Sequence, residues 1–173
     1  EKLKNYNIIL ASKSPRRQRF FKEMDIDFSI QLKETEEKYP DTLRGVQITD
    51  YLAELKAAAF EDLADNDLLI TSDTIVWQDG KAIEKPKDAA DAFRMLKLFS
   101  SSMHSVITSV TFTGKYFQKT INDTTKVWFN ELTDEEINYY IKTYQPFDKA
   151  GSYGKQEWLG HVGVCKIEGS FFN

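Results

Sequence analysis

The run Leu68-Leu69-Ile70-Thr71-Ser72-Asp73-Thr74-Ile75-Val76-Trp77 constrains the fold more than any other stretch of the chain. It is nearly continuous in aliphatic and β-branched residues, which predicts a strand buried on both faces. Asp73 interrupts it. An ionised carboxylate in such a strand is costly unless something pairs with it. The partners available to it are a metal ion, a hydrogen-bond network, or a lysine or arginine, so Asp73 reads as functional rather than structural.

A second stretch carries a comparable signal. Tyr6 to Leu10 reads as a short strand, followed by Ala11-Ser12-Lys13-Ser14-Pro15-Arg16-Arg17. Ser14 is a good N-cap, and Pro15 at the first helical position loses no hydrogen bond. Arg16 and Arg17 then fall in the first helical turn, where the helix dipole is already positive. Free backbone N–H groups, serine hydroxyls and two guanidinium groups at one helix start describe a phosphate pocket, the alternative being a solvated turn.

The remaining elements follow from periodicity. A helix is expected over 15–24 with Phe20, Phe21 and Met24 inward, and a strand over 26–32 with Ile26, Phe28, Ile30 and Leu32 on one face. Glu34-Thr35-Glu36-Glu37 reads as an acidic loop. Ile48, Leu52, Leu55, Ala59 and Leu63 predict a helix over 48–63, with Lys56 beside the stripe as a snorkelling residue. Gln78-Asp79-Gly80 is a turn before a short strand at 81–83. Lys85 is held extended by Pro86. Asp88 caps a helix to Phe99 with Ala89, Ala92, Phe93, Leu96 and Phe99 inward, and 104–112 alternates as a strand. Asn122-Asp123 is expected to turn a hairpin between strands at 115–121 and 124–129. Thr133-Asp134-Glu135-Glu136 is a capping box for a helix that Pro146 ends. The segment Phe147-Asp148-Lys149-Ala150-Gly151-Ser152-Tyr153-Gly154-Lys155-Gln156 breaks all periodicity, and its glycines permit close backbone approach to a ligand. A last strand is expected over 162–167.

With 173 residues, 41% hydrophobic, the chain can build a real core and reads as a single domain over 1–173. The net charge of −4 argues against a nucleic-acid polymer as partner. The one cysteine, Cys165, lies in an apolar run and is expected in the core; no disulfide framework is available within one chain. Together with the lack of any run long enough to span a bilayer and of a recognisable signal peptide, this points to a reducing, cytoplasmic setting with no membrane partner.

The polar residues at element ends and inside apolar runs are Ser12, Arg16, Arg17, Glu37, Lys56, Asp73, Lys85, Asp148, Lys149 and Gln156. They combine cations for phosphate oxygens with carboxylates for a hard cation. Two histidines and no cysteine cluster make structural zinc a poor fit, and Mg²⁺ or Mn²⁺ held by carboxylates and substrate phosphates a better one. No GxxxxGK[ST] loop, GxGxxG motif or serine nucleophile elbow occurs. Phosphoryl chemistry on a small phosphorylated substrate is the inference.

Leu10-Ala11-Ser12-Lys13-Ser14-Pro15-Arg16-Arg17, Thr71-Ser72-Asp73-Thr74-Ile75-Val76, Lys85-Pro86 and Asp148-Lys149-Ala150-Gly151-Ser152-Tyr153-Gly154-Lys155-Gln156, in that order, resemble the Maf family of nucleoside triphosphate pyrophosphatases, from about Ile8 to Asn173. The resemblance implies a two-lobed mixed α/β fold with an elongated twisted sheet and a central cleft, like inosine triphosphate pyrophosphatase (Maf/Ham1). It implies hydrolysis between the α and β phosphates to a monophosphate and pyrophosphate, with a divalent cation and a homodimer. Position by position, Asp73 matches the family's catalytic acid/base and, with Glu37, its metal ligands. Ser12, Arg16 and Arg17 match the phosphate-binding turn, and Lys56 and Lys85 the lysines that neutralise the polyphosphate. Asp148, Lys149 and Gln156 belong to the matching glycine loop. Either Glu36 or Glu37 faces the site. Arg16, Thr74 and Gln156 match the marks of the subgroup acting on dTTP and UTP, and the Gln156 amide is suited to reading a base edge. Modified pyrimidine nucleotides are further candidates.

Two departures stand out. Glu84 precedes Lys85-Pro86 where glycine is frequent in the family, and family members continue beyond the position of Asn173 with a Gly-Leu-Pro-type segment and a helix. The competing functional reading is a non-catalytic nucleotide-binding regulator linked to cell division.

Overall fold

The computed structural model describes residues 2–173. Its seven strands form one sheet: β1 (Asn7–Leu10), β2 (Ser29–Ile30), β3 (Asp67–Gln78), β4 (Lys81–Ile83), β5 (Met103–Gly114), β6 (Phe117–Phe129) and β7 (Val164–Glu168). The order is β2-β1-β3-β5-β6-β7, with β4 paired to β3. β1 runs parallel to both β2 and β3, while β4 is antiparallel to β3 and β7 to β6. The helices are α1 (Pro15–Glu23), α2 (Val46–Ala58), α3 (Ala89–Phe99), α4 (Asp134–Tyr144) and α5 (Trp158–Gly163). The chain divides into two compact units, residues 1–73 with 109–122 and residues 74–108 with 123–173.

In the first unit β3 is covered on both faces, as its composition predicts. Ile8 and Leu10 of β1 join Leu68 and Ile70 of β3 under Phe21, Ile26 and Phe28. Ile9 and Leu69 point the other way, against Ala57, Phe60 and Leu63. Consecutive residues of a strand alternate faces, so both sets can be apolar only when each face has a cover. Helix α2 is fixed to the sheet by polar contacts as well. Thr71 Oγ1 donates to the Ala53 carbonyl at 2.7 Å, and Asn122 Nδ2 to Asp50 at 3.2 Å. Thr120 Oγ1 donates to Glu54 at 2.7 Å.

The second unit has its own core. Leu96 and Phe99 of α3, Ile137 and Tyr140 of α4, Val127 of β6 and Leu159 of α5 are all sealed from solvent. Burying each such side chain is worth about 1.5–3 kcal/mol relative to exposure. Both cap predictions hold here. Asp88 accepts from Asp91 N at the start of α3, and the complete capping box at Thr133 starts α4. Gly151, at φ +71°, lies so close to the core that a Cβ would meet Val76 Cγ2 at 2.8 Å.

Several sequence expectations are corrected. Asn122-Asp123 turns nothing: β6 runs unbroken through it, and the reversal falls at Lys115-Tyr116 between Gly114 and Phe117. Asn122 uses its amide on Asp50, as a polar strand residue facing a helix can. The strand expected over 26–32 shrinks to Ser29–Ile30, with Ile30 and Leu32 each 46% exposed, because β2 is an edge strand paired only to the short β1. Met24 is 57% exposed beyond the end of α1, and Ala89 is exposed on α3, where Met95 is buried instead. Helix α2 stops at Ala58; Leu63 is drawn inward by the Ile9 and Leu69 cluster from a loop rather than from a further helical turn. The last strand begins only at Val164, since Trp158–Gly163 is helical. Cys165 is exposed, because β7 lies at the other sheet edge; its thiol lies 3.3 Å from the Trp128 carbonyl. Among the described residues no helix is long and apolar enough to cross a membrane.

Candidate active site

The first unit gathers six of the expected residues on four segments. Pro15 opens α1 as predicted, and Ser14 occupies the N-cap position with extended backbone. The capping chemistry differs from expectation: Ser14 makes no side-chain cap bond, and its N–H donates to Ser12 Oγ at 3.2 Å. Ser12, buried in this turn, also accepts at its carbonyl from Gln18 Nε2 at 3.2 Å. Arg16 and Arg17 occupy the first turn of α1 with no acidic residue beside them in that turn. Arg16 is exposed, whereas Arg17 is half-buried and donates from Nη1 to the Ser72 carbonyl at 2.9 Å. Burial lowers the Arg17 pKa and Arg16 adds to that, while Asp73 and Glu37 oppose it.

Asp73 sits in β3 and is 6% exposed. The cation it needs is Lys56 from α2, whose Nζ lies 2.7 Å from Asp73 Oδ1. The same ammonium lies 3.2 Å from Glu37 Oε1. Glu36 pairs with Lys38 instead, so Glu37 is the glutamate that faces Asp73. Burial pushes the Asp73 carboxyl above the usual aspartate range; Lys56 and Arg17 draw it back, and the Glu37 charge raises it further. A carboxylate raised in this way is a stronger base than a solvated one.

No group of three or more His, Cys, Asp or Glu side chains suited to a metal occurs among the described residues. Two carboxylates converging on one point, without a protein cage, are nevertheless what a hard, small cation uses when substrate phosphates and water complete its octahedron. Asp73 and Glu37 thus offer oxygen donors of the type a divalent cation takes, at the point where the Lys56 ammonium lies.

The second unit holds the other five. Thr74, next along β3, shares a 2.9 Å hydroxyl contact with Thr108. Lys85 is exposed beside the buried Pro86, and the preceding Glu84 carbonyl accepts from Gly151 N at 3.1 Å, tying that segment to the glycine loop. Asp148 is exposed and Gln156 is exposed at the far end of the loop. Lys149 lies 2.9 Å from Asp148 Oδ1 and 3.2 Å from Glu157 Oε1, so its charge is engaged by its own loop.

Residues that went unnoticed in the sequence hold this loop. His104 Nε2 meets Tyr153 Oη at 2.5 Å inside a ring of Phe99 and Phe129. Tyr140 takes the Gly154 N–H at 3.1 Å and donates to Glu157 Oε2. The clue was present, since a tyrosine on a buried helical stripe must find a partner for its hydroxyl. Lys155 is only 8% exposed and donates to the Ser170 carbonyl at 3.3 Å.

The chain is similar to known proteins. Residues 7–173 match the family described as Maf-like protein. The chain is 58% identical to a dTTP/UTP pyrophosphatase of Flavobacterium johnsoniae over 100% of its own length and 90% of that protein. It is 56% identical to the dTTP/UTP pyrophosphatase of Flavobacterium psychrophilum, over 100% of this chain and 89% of that one. The identity to the protein of the same name from Bacteroides fragilis is 47%, over 99% and 90%. Among solved structures, the Ham1 protein of Staphylococcus aureus aligns with a TM-score of 0.52 at 17% identity, covering 74% of this chain and 72% of that chain, a likeness of fold.

Proposed function

The chain belongs to the Maf family, and from that premise we propose that it hydrolyses dTTP and UTP to the nucleoside monophosphate and pyrophosphate. The Asp73–Lys56–Glu37 group carries this reading. A nucleotide binder without chemistry has no use for a buried carboxylate whose basicity is raised, and hydrolysis at phosphorus does. Relatives about half identical over nearly their whole length, each named dTTP/UTP pyrophosphatase, support the same substrates.

In this reading Asp73 accepts the proton of the water that attacks the α-phosphorus, and the β- and γ-phosphates depart together as pyrophosphate. Lys56 favours the ionised form of Asp73 against the burial that opposes it and offsets negative charge that grows on the phosphates in the transition state. Arg16, Arg17 and the Ser12 turn bind phosphate oxygens at the start of α1, where the helix dipole adds to their charge. Asp73 and Glu37 would hold the divalent cation, which supplies Lewis-acid polarisation of the phosphoryl oxygens when bound. In the second unit, Lys85 is assigned to the phosphates, Thr74 and Gln156 to base selection, and Asp148 and Lys149 to the loop that carries Gln156.

A turnover panel tests this. Wild type and Asp73→Asn are incubated with dTTP, UTP, CTP, GTP, 7-methyl-GTP and ATP, with Mg²⁺, Mn²⁺ or chelator, and monophosphate and pyrophosphate are measured. We expect metal-dependent release from dTTP and UTP, lost by at least about a thousandfold in Asp73→Asn, with nucleotide affinity retained. Unchanged turnover in Asp73→Asn sinks the catalytic assignment. Activity confined to 7-methyl-GTP discards the pyrimidine assignment, and nucleotide binding without release from any substrate favours the regulator.

A further inference from the structure

Lys56 stands at the one point from which both carboxylates of the site can be reached. Its Nζ lies 2.7 Å from Asp73 Oδ1 and 3.2 Å from Glu37 Oε1. A magnesium ion that bridges two carboxylates sits about 2.1 Å from each oxygen, in that same space. An ammonium and a divalent cation therefore cannot bridge Asp73 and Glu37 together. Among the described residues no third carboxylate joins these two to enlarge the site, and Glu36 is turned to Lys38. The charges are also already matched. Asp73 and Glu37 face the Lys56 ammonium and the Arg17 guanidinium, whose charge acts on both carboxylates. A divalent cation arriving alone from water meets carboxylates that are already neutralised, and such an ion gives up its hydration reluctantly.

We propose that Lys56 is an exchangeable counter-ion of Asp73 and Glu37. Without nucleotide it keeps a divalent cation off the two carboxylates, and a nucleoside triphosphate draws its ammonium onto the phosphates as the cation takes its place. This rests on the pyrophosphatase reading of the site. Exchange resolves a conflict within that reading, because one ammonium has two tasks. Held 2.7 Å from Asp73, it balances a buried carboxylate. To offset charge on a polyphosphate, it must face the substrate instead. A triphosphate supplies both halves of the exchange. Its negative charge attracts the ammonium, and its oxygens complete the octahedron of the cation. Lysine suits this better than arginine does. An ammonium is a point charge on a flexible four-carbon stem, whereas a guanidinium fork locks onto a carboxylate in a fixed geometry. The head of Lys56 can therefore move while α2, which carries it, stays in place. The exchange makes cation and nucleotide bind cooperatively: each is weakly held until the other is present, by the same factor in both directions.

Mn²⁺ binding in the absence of nucleotide is measured by electron paramagnetic resonance at pH 8. The proteins are wild type, Lys56→Gln, Lys56→Arg, and Lys56→Gln combined with Glu37→Gln. Lys56→Gln removes the charge and keeps a group that can donate to Asp73. It is expected to bind Mn²⁺ at least about tenfold more tightly than wild type, because the competing cation is gone. Lys56→Arg keeps a cation there and is expected to bind Mn²⁺ no more tightly than wild type. Glu37→Gln, at a side chain 56% exposed, is expected to abolish the gain. Equal affinity in wild type and Lys56→Gln overturns the proposal, and so does a gain that survives Glu37→Gln, which would be binding elsewhere. Should Lys56→Gln fail to fold, the Lys56 ε-methylene of wild type is followed by NMR. Its resonance is expected to stay in place with Mg²⁺ alone and to shift when Mg²⁺ is added with the non-hydrolysable α,β-imido-UTP. A shift with Mg²⁺ alone, or none under either condition, overturns the exchange. A wild type that releases pyrophosphate from no nucleotide overturns the pyrophosphatase reading instead, and the Mn²⁺ titrations still judge whether Lys56 and the cation compete.

Discussion

Lys56 and Asp73 meet at 2.7 Å with only 18% and 9% of their side chains exposed. A buried pair of this kind stabilises little when intact, but removing one member leaves a charge with no compensation. Lys56→Met should therefore destabilise the protein by about 3 kcal/mol. Asp73→Asn in the Lys56→Met background should recover part of that loss. Urea unfolding of the four proteins of the cycle measures the coupling, and strictly additive effects would show that the two side chains do not sense each other.

His104 should make the fold acid-sensitive. Burial, with Lys155 adding to it, depresses its pKa from 6.5 to about 3. Between those values the unfolded chain binds a proton that the folded chain refuses, so stability rises with pH across the window and is lost as the pH falls from 6.5 towards 3. The contribution has a slope approaching about 1.4 kcal/mol per pH unit. Unfolding midpoints at pH 7, 6, 5 and 4 for wild type and His104→Gln should diverge in slope below pH 6.5. Parallel curves would mean that the imidazole takes up protons alike in the folded and unfolded chain.

Lys155 should cost stability at neutral pH. Its pKa is lowered from 10.5 to about 8, chiefly by burial, with Asp123 opposing the shift. Below pH 8 both states are charged, and the folded protein carries the full burden of a desolvated ammonium. Between pH 8 and 10.5 only the unfolded chain holds the proton, so stability rises with pH there. Lys155→Met should be stabilising by about 1–3 kcal/mol at pH 7 and flatten that rise. The Ser170 carbonyl is not orphaned by the change, because Thr125 Oγ1 also donates to it at 2.8 Å. A thermal melt below that of wild type would show that the ammonium's contacts outweigh its burial.

Legibility in the sequence followed the contrast of each residue with its neighbours. Asp73 stood out because a charge in an apolar run is anomalous, and the structure buries it beside Lys56, a cation of the kind its burial calls for. Lys56 did not stand out, since a lysine among alanines on a helix is ordinary; its significance lies in Asp73, 17 residues away. The caps at Asp88 and Thr133 were legible because capping is local chemistry. The reversal at Lys115-Tyr116 was not, because neither residue is a turn former, while Asn122-Asp123 looked like one and was recruited into a strand by Asp50. Tyr140 and Tyr153 are buried, and only coordinates reveal where their hydroxyls go.

The two ends of the sheet have a consequence for behaviour at high concentration. An open edge offers unpaired N–H and C=O groups on which another chain can zip into cross-β aggregates. At one end stands β2, two residues long, which leaves almost no template. At the other, β7 bears Lys166 and Glu168, paired with each other at 2.7 Å. A foreign strand docking there would have to desolvate both charges. The long, apolar β3, whose composition most invites fibril formation, lies inside the sheet. The protein should therefore resist amyloid growth while folded and become vulnerable only when β3 is released from its neighbours.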